Sequence, residues 1–196
     1  MRRIAPIVEG HGEESAVPVL FRRLAVEAFD APAAVNVLAP IRVSRAKICS
    51  CSDDFIRLLR IANINAGDDG YVVILFDSDD DCPVEVADLV RTKSREVLGH
   101  DRVMCVVAHR EFESWYIAAA ESLSGVRGLG ALAEPSAADL AVRGAKEWLS
   151  ARMVGRKKYD PQIDQAPHTA KKSHDLPRDR RTSITKLLSD FHCAAF

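Results

Sequence analysis

The sequence predicts an α/β fold, a mostly parallel sheet flanked by helices, on three observations. Tyr71-Val-Val-Ile-Leu-Phe76 is the most apolar run in the chain and has no polar alternation, which suits a strand covered on both faces. Apolar strand-like segments alternate with segments of helical spacing, the rhythm of a doubly wound sheet with right-handed crossovers. The strand-like segments end in charged residues, and open parallel sheets bind ligands at the carboxyl ends of their strands.

In chain order, Ile4 to Val8 is a short apolar strand followed by Glu9-Gly10-His11-Gly12-Glu13-Glu14. The two glycines permit a sharp turn or close backbone approach. A helix follows, with Val17, Leu20, Phe21, Leu24 and Ala28 on its apolar face, Ser15 as its cap and Pro18 in its first turn. The glycine spacing matches neither GxxxxGK[ST] nor GxGxxG, so it offers weak support for a nucleotide cradle. Val35 to Ile41 supplies another strand, and a helix from about Ser52 carries Phe55, Leu58, Leu59 and Ala62 on one face.

The Tyr71 strand then delivers Asp77-Ser-Asp-Asp-Asp81. If the backbone stays extended through Ser78, Asp77 and Asp79 project to the same side and converge on one point. Carboxylates so close call for a counter-cation, and oxygen-only ligands suit Mg²⁺ or Mn²⁺. Pro83 fits the first position of a helix running to about Leu98. Val103 to Ala108 is a further buried strand, ending in His109-Arg-Glu-Phe-Glu113-Ser-Trp115. Glu111 and Glu113 suit the first turn of a helix. Phe112, Trp115, Tyr116 and Ile117 make an apolar stripe, so Trp115 reads as a core anchor rather than a base-stacking platform. His11 and His109 read as hydrogen-bonded structural residues rather than as ligands.

The whole-chain figures narrow the function classes. At 196 residues the chain suits one domain with an appendage, divided near the Gly-rich stretch 124–130 into a core over 1–122 and an extension over 123–196. With 27 Lys plus Arg against 28 Asp plus Glu, nucleic-acid affinity must come from a local patch. The amino terminus turns charged too soon for a signal peptide, and no stretch approaches a membrane span, so a cytoplasmic location is expected. Five cysteines without a repeating spacing read as ordinary thiols in a reducing compartment rather than a disulfide framework or a zinc site.

A strand ending in Glu9-Gly10, a second glutamate at Glu13, and a later strand ending Asp77-Ser78-Asp79 resemble the TOPRIM domain of topoisomerases, bacterial primases and the nucleases of the overcoming-lysogenization-defect class. With the Glu111-Phe-Glu113-Ser-Trp115 segment, the chain is similar to a bacterial TOPRIM-like subgroup often encoded beside AAA-type ATPases. The likeness covers roughly residues 4–120. It implies Mg²⁺- or Mn²⁺-dependent phosphodiester chemistry, with Glu9, Asp77 and Asp79 as the principal metal-site carboxylates and Glu13, Asp81 or Glu113 reaching a second ion. A single-ion arrangement is equally consistent. It also implies nucleic acid as substrate, a separately encoded AAA-type ATPase as partner, and a role such as the effector of a phage-defence system. Two other readings stand beside the nuclease: phosphoryl or nucleotidyl transfer to a small substrate, and a noncatalytic regulatory subunit whose acidic edge binds a metal or a partner.

Past residue 122, a helix is expected from Pro135-Ser136 to about Gly155, with Leu140, Ala145, Trp148 and Leu149 packing. A basic arm follows, in which Arg156, Lys157, Lys158, Lys171 and Lys172 are candidates for phosphate contact, together with His168 and His174 in a polar segment. Lys158 or Lys171 could steady a pentacovalent phosphate. A last helix is expected over 182–191.

Overall fold

The computed structural model describes residues 1–29, 35–133, 135–140, 142–155 and 158–170. Its centre is the parallel pair β1 (Arg2–Val8) and β4 (Tyr71–Asp77), in register from Ile4 with Tyr71 to Val8 with Leu75. Strand β5 (Val103–Ala108) pairs parallel with the far side of β4, and β2 (Val35–Val37) and β3 (Ile41–Arg42) pair parallel with the other side of β1. The fold is therefore α/β, a parallel sheet flanked by helices, as the sequence predicts.

The expected strand over 35–41 is two strands. Pro40 lacks the N–H that would continue the ladder, so β2 pairs with the start of β1 and β3 with its end.

Residue parity sorts the core. Ile4, Val8, Val73, Leu75, Met104 and Val106 face helix α1 (His11–Phe29), where they meet Val17, Leu20 and Phe21. Ala5, Ile7, Val72, Ile74, Phe76, Cys105 and Val107 face α2 (Arg45–Cys49), α3 (Asp53–Ala66) and α4 (Pro83–Leu98), where they meet Ile48, Phe55, Leu59 and Val90. Both faces of β4 are sealed, with residues 72–76 fully buried, so the unalternating apolar run has its cause. Asp77 shares the parity of Val73 and Leu75, which directs its side chain to the α1 face.

Helix α1 begins four residues before the expected Ser15 cap. The Glu13 carboxylate accepts the backbone N–H of Gly10, satisfying a donor at the helix entry, while the Ser15 hydroxyl donates to the Gly12 carbonyl. Pro18 consequently lies inside the helix rather than in its first turn.

Helix α3 has the expected start, since Ser52 Oγ accepts the Phe55 N–H at 3.2 Å. Ser52→Ala should cost about 1 kcal/mol and lower the melting temperature by roughly 2–4 °C, whereas Ser52→Asp should hold it. Thermal unfolding followed by circular dichroism checks both.

After β5, α5 (Ser114–Ala118) starts one residue past Glu113, and Trp115 packs on Phe112 in the α1-side core with ring centroids 4.8 Å apart, the anchoring role expected of it. The single helix expected over 135–155 is instead α6 (Ala137–Leu140) and α7 (Ala145–Ser150), separated at Gly144, whose φ of 81° breaks the helix. Helix α8 (Pro161–Ala170) lies against α1 and turns part of the expected basic arm into core: Gln165 and His168 are buried. Arg156, Lys157, Lys171, Lys172, His174 and the helix expected over 182–191 lie outside the described residues. Among the described residues no helix is long and apolar enough to cross a membrane.

Candidate functional site

The carboxyl edge of the sheet gathers carboxylates from separate elements. Glu9 leaves the end of β1 and Asp77 ends β4, and the Asp77 N–H points to Glu9 Oε2 at 3.4 Å. Glu13 comes from the first turn of α1, and Glu113 follows β5. Gln165 of α8 joins these two, its Nε2 donating to Glu13 Oε1 at 3.3 Å and to Glu113 Oε1 at 3.0 Å. Asp77 Oδ1 accepts the Phe112 N–H at 2.7 Å.

Lys146 of α7 completes this inner group. Its Nζ lies 3.0 Å from Glu111 Oε2 and 3.2 Å from Glu113 Oε2. Glu111 also accepts the Ala145 N–H at 2.9 Å, so one carboxylate holds both the first turn of α7 and the lysine it carries.

An outer group lies on the α2 side. Asp79 and Asp81 are exposed and both pair with Arg45 of α2. Arg45 also donates to the carbonyls of Asp77 and Ser78, each at 3.1 Å, and so clamps the turn after β4. Asp80 pairs with Arg143 at 2.7 Å. The backbone does not stay extended through Ser78. Asp79 takes φ 50°, and this left-handed residue turns its carboxylate toward Arg45 instead of stacking it over Asp77. Arg110, beyond β5, is also left-handed at φ 62°, and the two turns are tied together by Asp79 N–H to Arg110 O and Arg110 N–H to Ser78 Oγ. Left-handed non-glycine residues are costly and cluster at functional sites.

The electrostatics follow from crowding. Burial, then the charges of Glu13 and Glu113, push the Asp77 carboxyl up to about 8, against a smaller pull from Lys146. Burial raises Glu113 as well, with Lys146 opposing. Burial raises Glu9, which also feels Asp79 and Glu13, so it stands between the two groups. Burial works against the charge on Lys146, but Glu113, Glu111 and Asp77 outweigh it and hold the ammonium firmly protonated.

Of the candidates read from sequence, Glu13, Asp77 and Glu113 meet at the inner group, Glu9 stands between it and the outer group, and Asp79 and Asp81 sit one turn outward. Lys158 is exposed and, among the described residues, makes none of the contacts that bind the cluster. His11 is exposed, 3.3 Å from Glu14, with the Arg42 guanidinium on its other ring nitrogen. Sequence reasoning missed Lys146, Gln165 and Arg45. The available signal for Gln165 was the pattern of α8, whose polar residues Asp164, Gln165, His168 and Thr169 recur at helical spacing and are buried while Ile163 is exposed.

No curated protein matches the chain. Among solved structures, it is similar to the C-terminal region of the Burkholderia pseudomallei OLD protein, at 17% identity and a TM-score of 0.46 with 100% of each chain covered. Residues 8–171 match the family described as a domain of unknown function, DUF4276, and the chain belongs to that family.

Proposed function

We propose that this protein is a TOPRIM-type phosphodiesterase that cleaves nucleic acid with Mg²⁺ or Mn²⁺. The observation that carries the reading is the meeting of Glu9, Asp77, Glu13 and Glu113 at the carboxyl edge of a parallel sheet, crowded enough to hold the Asp77 carboxyl near 8. A pure scaffold gains nothing from so many like charges in a part-buried place.

The donor set fits a hard divalent ion in kind, since every candidate ligand is a carboxylate oxygen. Among the described residues, no three His, Cys, Asp or Glu side chains form a group arranged to hold a metal ion; Lys146 and Gln165 lie against Glu113, and Arg45 against Asp79 and Asp81. Glu9, Asp77 and Asp79 would hold an ion, with Asp81 beside them. Such an ion activates a water and offsets phosphate charge. The chain's own residues would do the remainder. Lys146 supplies a fixed positive charge beside the carboxylates and, because it lies within the cluster, is the candidate for the phosphate-steadying role expected of Lys158 or Lys171. Gln165 holds Glu13 and Glu113 in place. Arg45 sets the turn that presents Asp79 and Asp81.

The noncatalytic reading has an observation in its favour, because Lys146 and Gln165 already engage Glu113 with charge and a hydrogen bond. Calorimetry with Mn²⁺ on the wild type and on Asp77→Ala/Asp79→Ala, with cleavage assays on plasmid, single-stranded DNA and RNA, separates the two. The expected result is binding in the wild type and at least a hundredfold loss of cleavage alongside loss of binding in the double variant. A folded wild type that binds no Mn²⁺ at millimolar concentration removes the catalytic reading. An AAA-type ATPase partner and a role in phage defence remain part of the proposal that rests on the family resemblance.

A further inference from the structure

We propose that Lys146 is the resident cation of the inner carboxylate group and stands where a second divalent ion would otherwise sit, so that this chain binds one Mg²⁺ or Mn²⁺ rather than two. The inference rests on the metal-dependent reading above and fixes its ion count.

In the inner group the protein supplies partners to both oxygens of Glu13 and to one each of Glu113 and Asp77, and the buried Glu113 Oε2, which has no hydrogen-bond donor, has the Lys146 ammonium as its counter-charge. Glu13 accepts the Gly10 N–H on one oxygen and Gln165 Nε2 on the other. Glu113 accepts Gln165 Nε2 on Oε1 and faces the Lys146 ammonium through Oε2, and Asp77 Oδ1 accepts the Phe112 N–H. These donors are pinned in turn. Glu111 fixes Lys146 both directly and through the first turn of α7. Gln165 is fully buried on α8, which the Tyr116 hydroxyl ties down through Gln165 O at 2.9 Å and Thr169 Oγ1 at 2.6 Å. A divalent ion entering here would lie within a few ångströms of the ammonium and would have to displace it from the buried Glu113 carboxylate, although Glu111 holds the half-buried lysine in place by a hydrogen bond at 3.0 Å.

The outer group differs in the property that matters. Asp79 and Asp81 have side chains 63% and 57% exposed, and exposed ion pairs are weak, so their contact with Arg45 yields readily to a divalent ion. Arg45 need not leave, because the carbonyls of Asp77 and Ser78 retain it. Glu9, between the groups, and Asp77, whose Oδ1 alone is taken by the Phe112 N–H, would join Asp79 in holding the outer ion. A lysine in place of a second ion supplies permanent positive charge without a coordination sphere, which suits a group whose carboxylates already have protein donors.

The test is an ion count. Wild type, Lys146→Gln and Lys146→Arg are titrated with Mn²⁺ by calorimetry, with thermal melts to establish folding. The expected result is one ion per chain for wild type and Lys146→Arg and two for Lys146→Gln. Two ions in the wild type, or the same count in wild type and Lys146→Gln, overturns the proposal. The failure of the metal-dependent reading is a separate outcome, a wild type that binds none: one ion gained by Lys146→Gln would still support the lysine's role, and none gained would overturn it. If Lys146→Gln does not fold, labelling of wild-type lysines with an N-hydroxysuccinimide ester, read by mass spectrometry, decides the matter. Labelling of Lys146 should be unchanged by Mn²⁺, and a tenfold rise on adding Mn²⁺ would show that an ion expels it and would overturn the proposal.

Discussion

Asp77→Asn is expected to stabilise the metal-free protein at pH 9 while abolishing its binding of divalent ions. The carboxyl of Asp77 is pushed from 3.8 to about 8, first by burial and then by Glu13 and Glu113. The folded protein therefore holds a proton on Asp77 across a range in which the unfolded chain has released it. Stability from this group is fully present below about pH 4 and is lost progressively as pH rises to about 8. At ~1.4 kcal/mol per pH unit, and with an allowance for partial exposure, the loss is of the order of 3–5 kcal/mol. Asparagine keeps an oxygen for the Phe112 N–H and carries no charge to release, so the penalty disappears. Melts in a chelator should show the variant roughly 5–15 °C above wild type at pH 9, with the gap closing toward pH 5. Mn²⁺ should raise the melting temperature of wild type and leave the variant unmoved. A variant that melts below wild type at pH 9, or a gap indifferent to pH, would show that Asp77 is not a strained carboxylate. Higher stability with lost binding is the pattern expected where a protein tolerates charge crowding for the sake of a site.

What could be read from the sequence divides along a physical line. The strands β1, β4 and β5 were legible because each is a short apolar run whose burial needs no knowledge of its neighbours, and parallel pairing followed from the lack of alternation in Val72 to Phe76. Carboxylates at the ends of those strands were legible for the same reason: a strand end has a known place in a parallel sheet. The geometry of Asp79 was not, since nothing local announces a left-handed aspartate. Its φ of 50° is stabilised by the ties to Arg110 and Arg45, both distant in sequence. Lys146 and Gln165 were hidden more deeply. A lysine on a six-residue helix reads as solvated surface, and only the contact with Glu111, 35 residues earlier, brings it inward. Gln165 sits on a helix that buries its polar face, the inverse of the amphipathic pattern used to find core residues. The expectation of an exposed polar arm around His168 failed on that inversion: the polar residues meet other polar residues inside, and His168 stacks on Tyr159.

That buried polar face also makes a glycine in α1 the most sensitive small residue near the site. Gly12→Ala should lower stability by about 2–3 kcal/mol, against the trend, because alanine inside a helix normally gains up to about 1 kcal/mol over glycine. An added Cβ at Gly12 would come within 1.9 Å of Gln165 Oε1 and 2.9 Å of the Pro161 carbonyl, so α8 must move or Gln165 must rotate. Rotation of Gln165 releases its bonds to both Glu13 and Glu113, and movement of α8 strains the Tyr116 contacts to Gln165 and Thr169. Either response loosens the carboxylates, so the melting temperature should fall by roughly 5–10 °C and Mn²⁺ affinity should fall with it. A double-variant cycle isolates the cause. In a Gln165→Ala background the larger clash is gone and only the Pro161 carbonyl remains, so Gly12→Ala should cost at least about 1 kcal/mol less there than in wild type. Additive effects would place the strain outside the Gly12–Gln165 contact. A Gly12→Ala protein as stable as wild type would mean that α8 does not approach α1 closely enough for Gln165 to reach either carboxylate, and the inner group would lose the amide that joins Glu13 to Glu113.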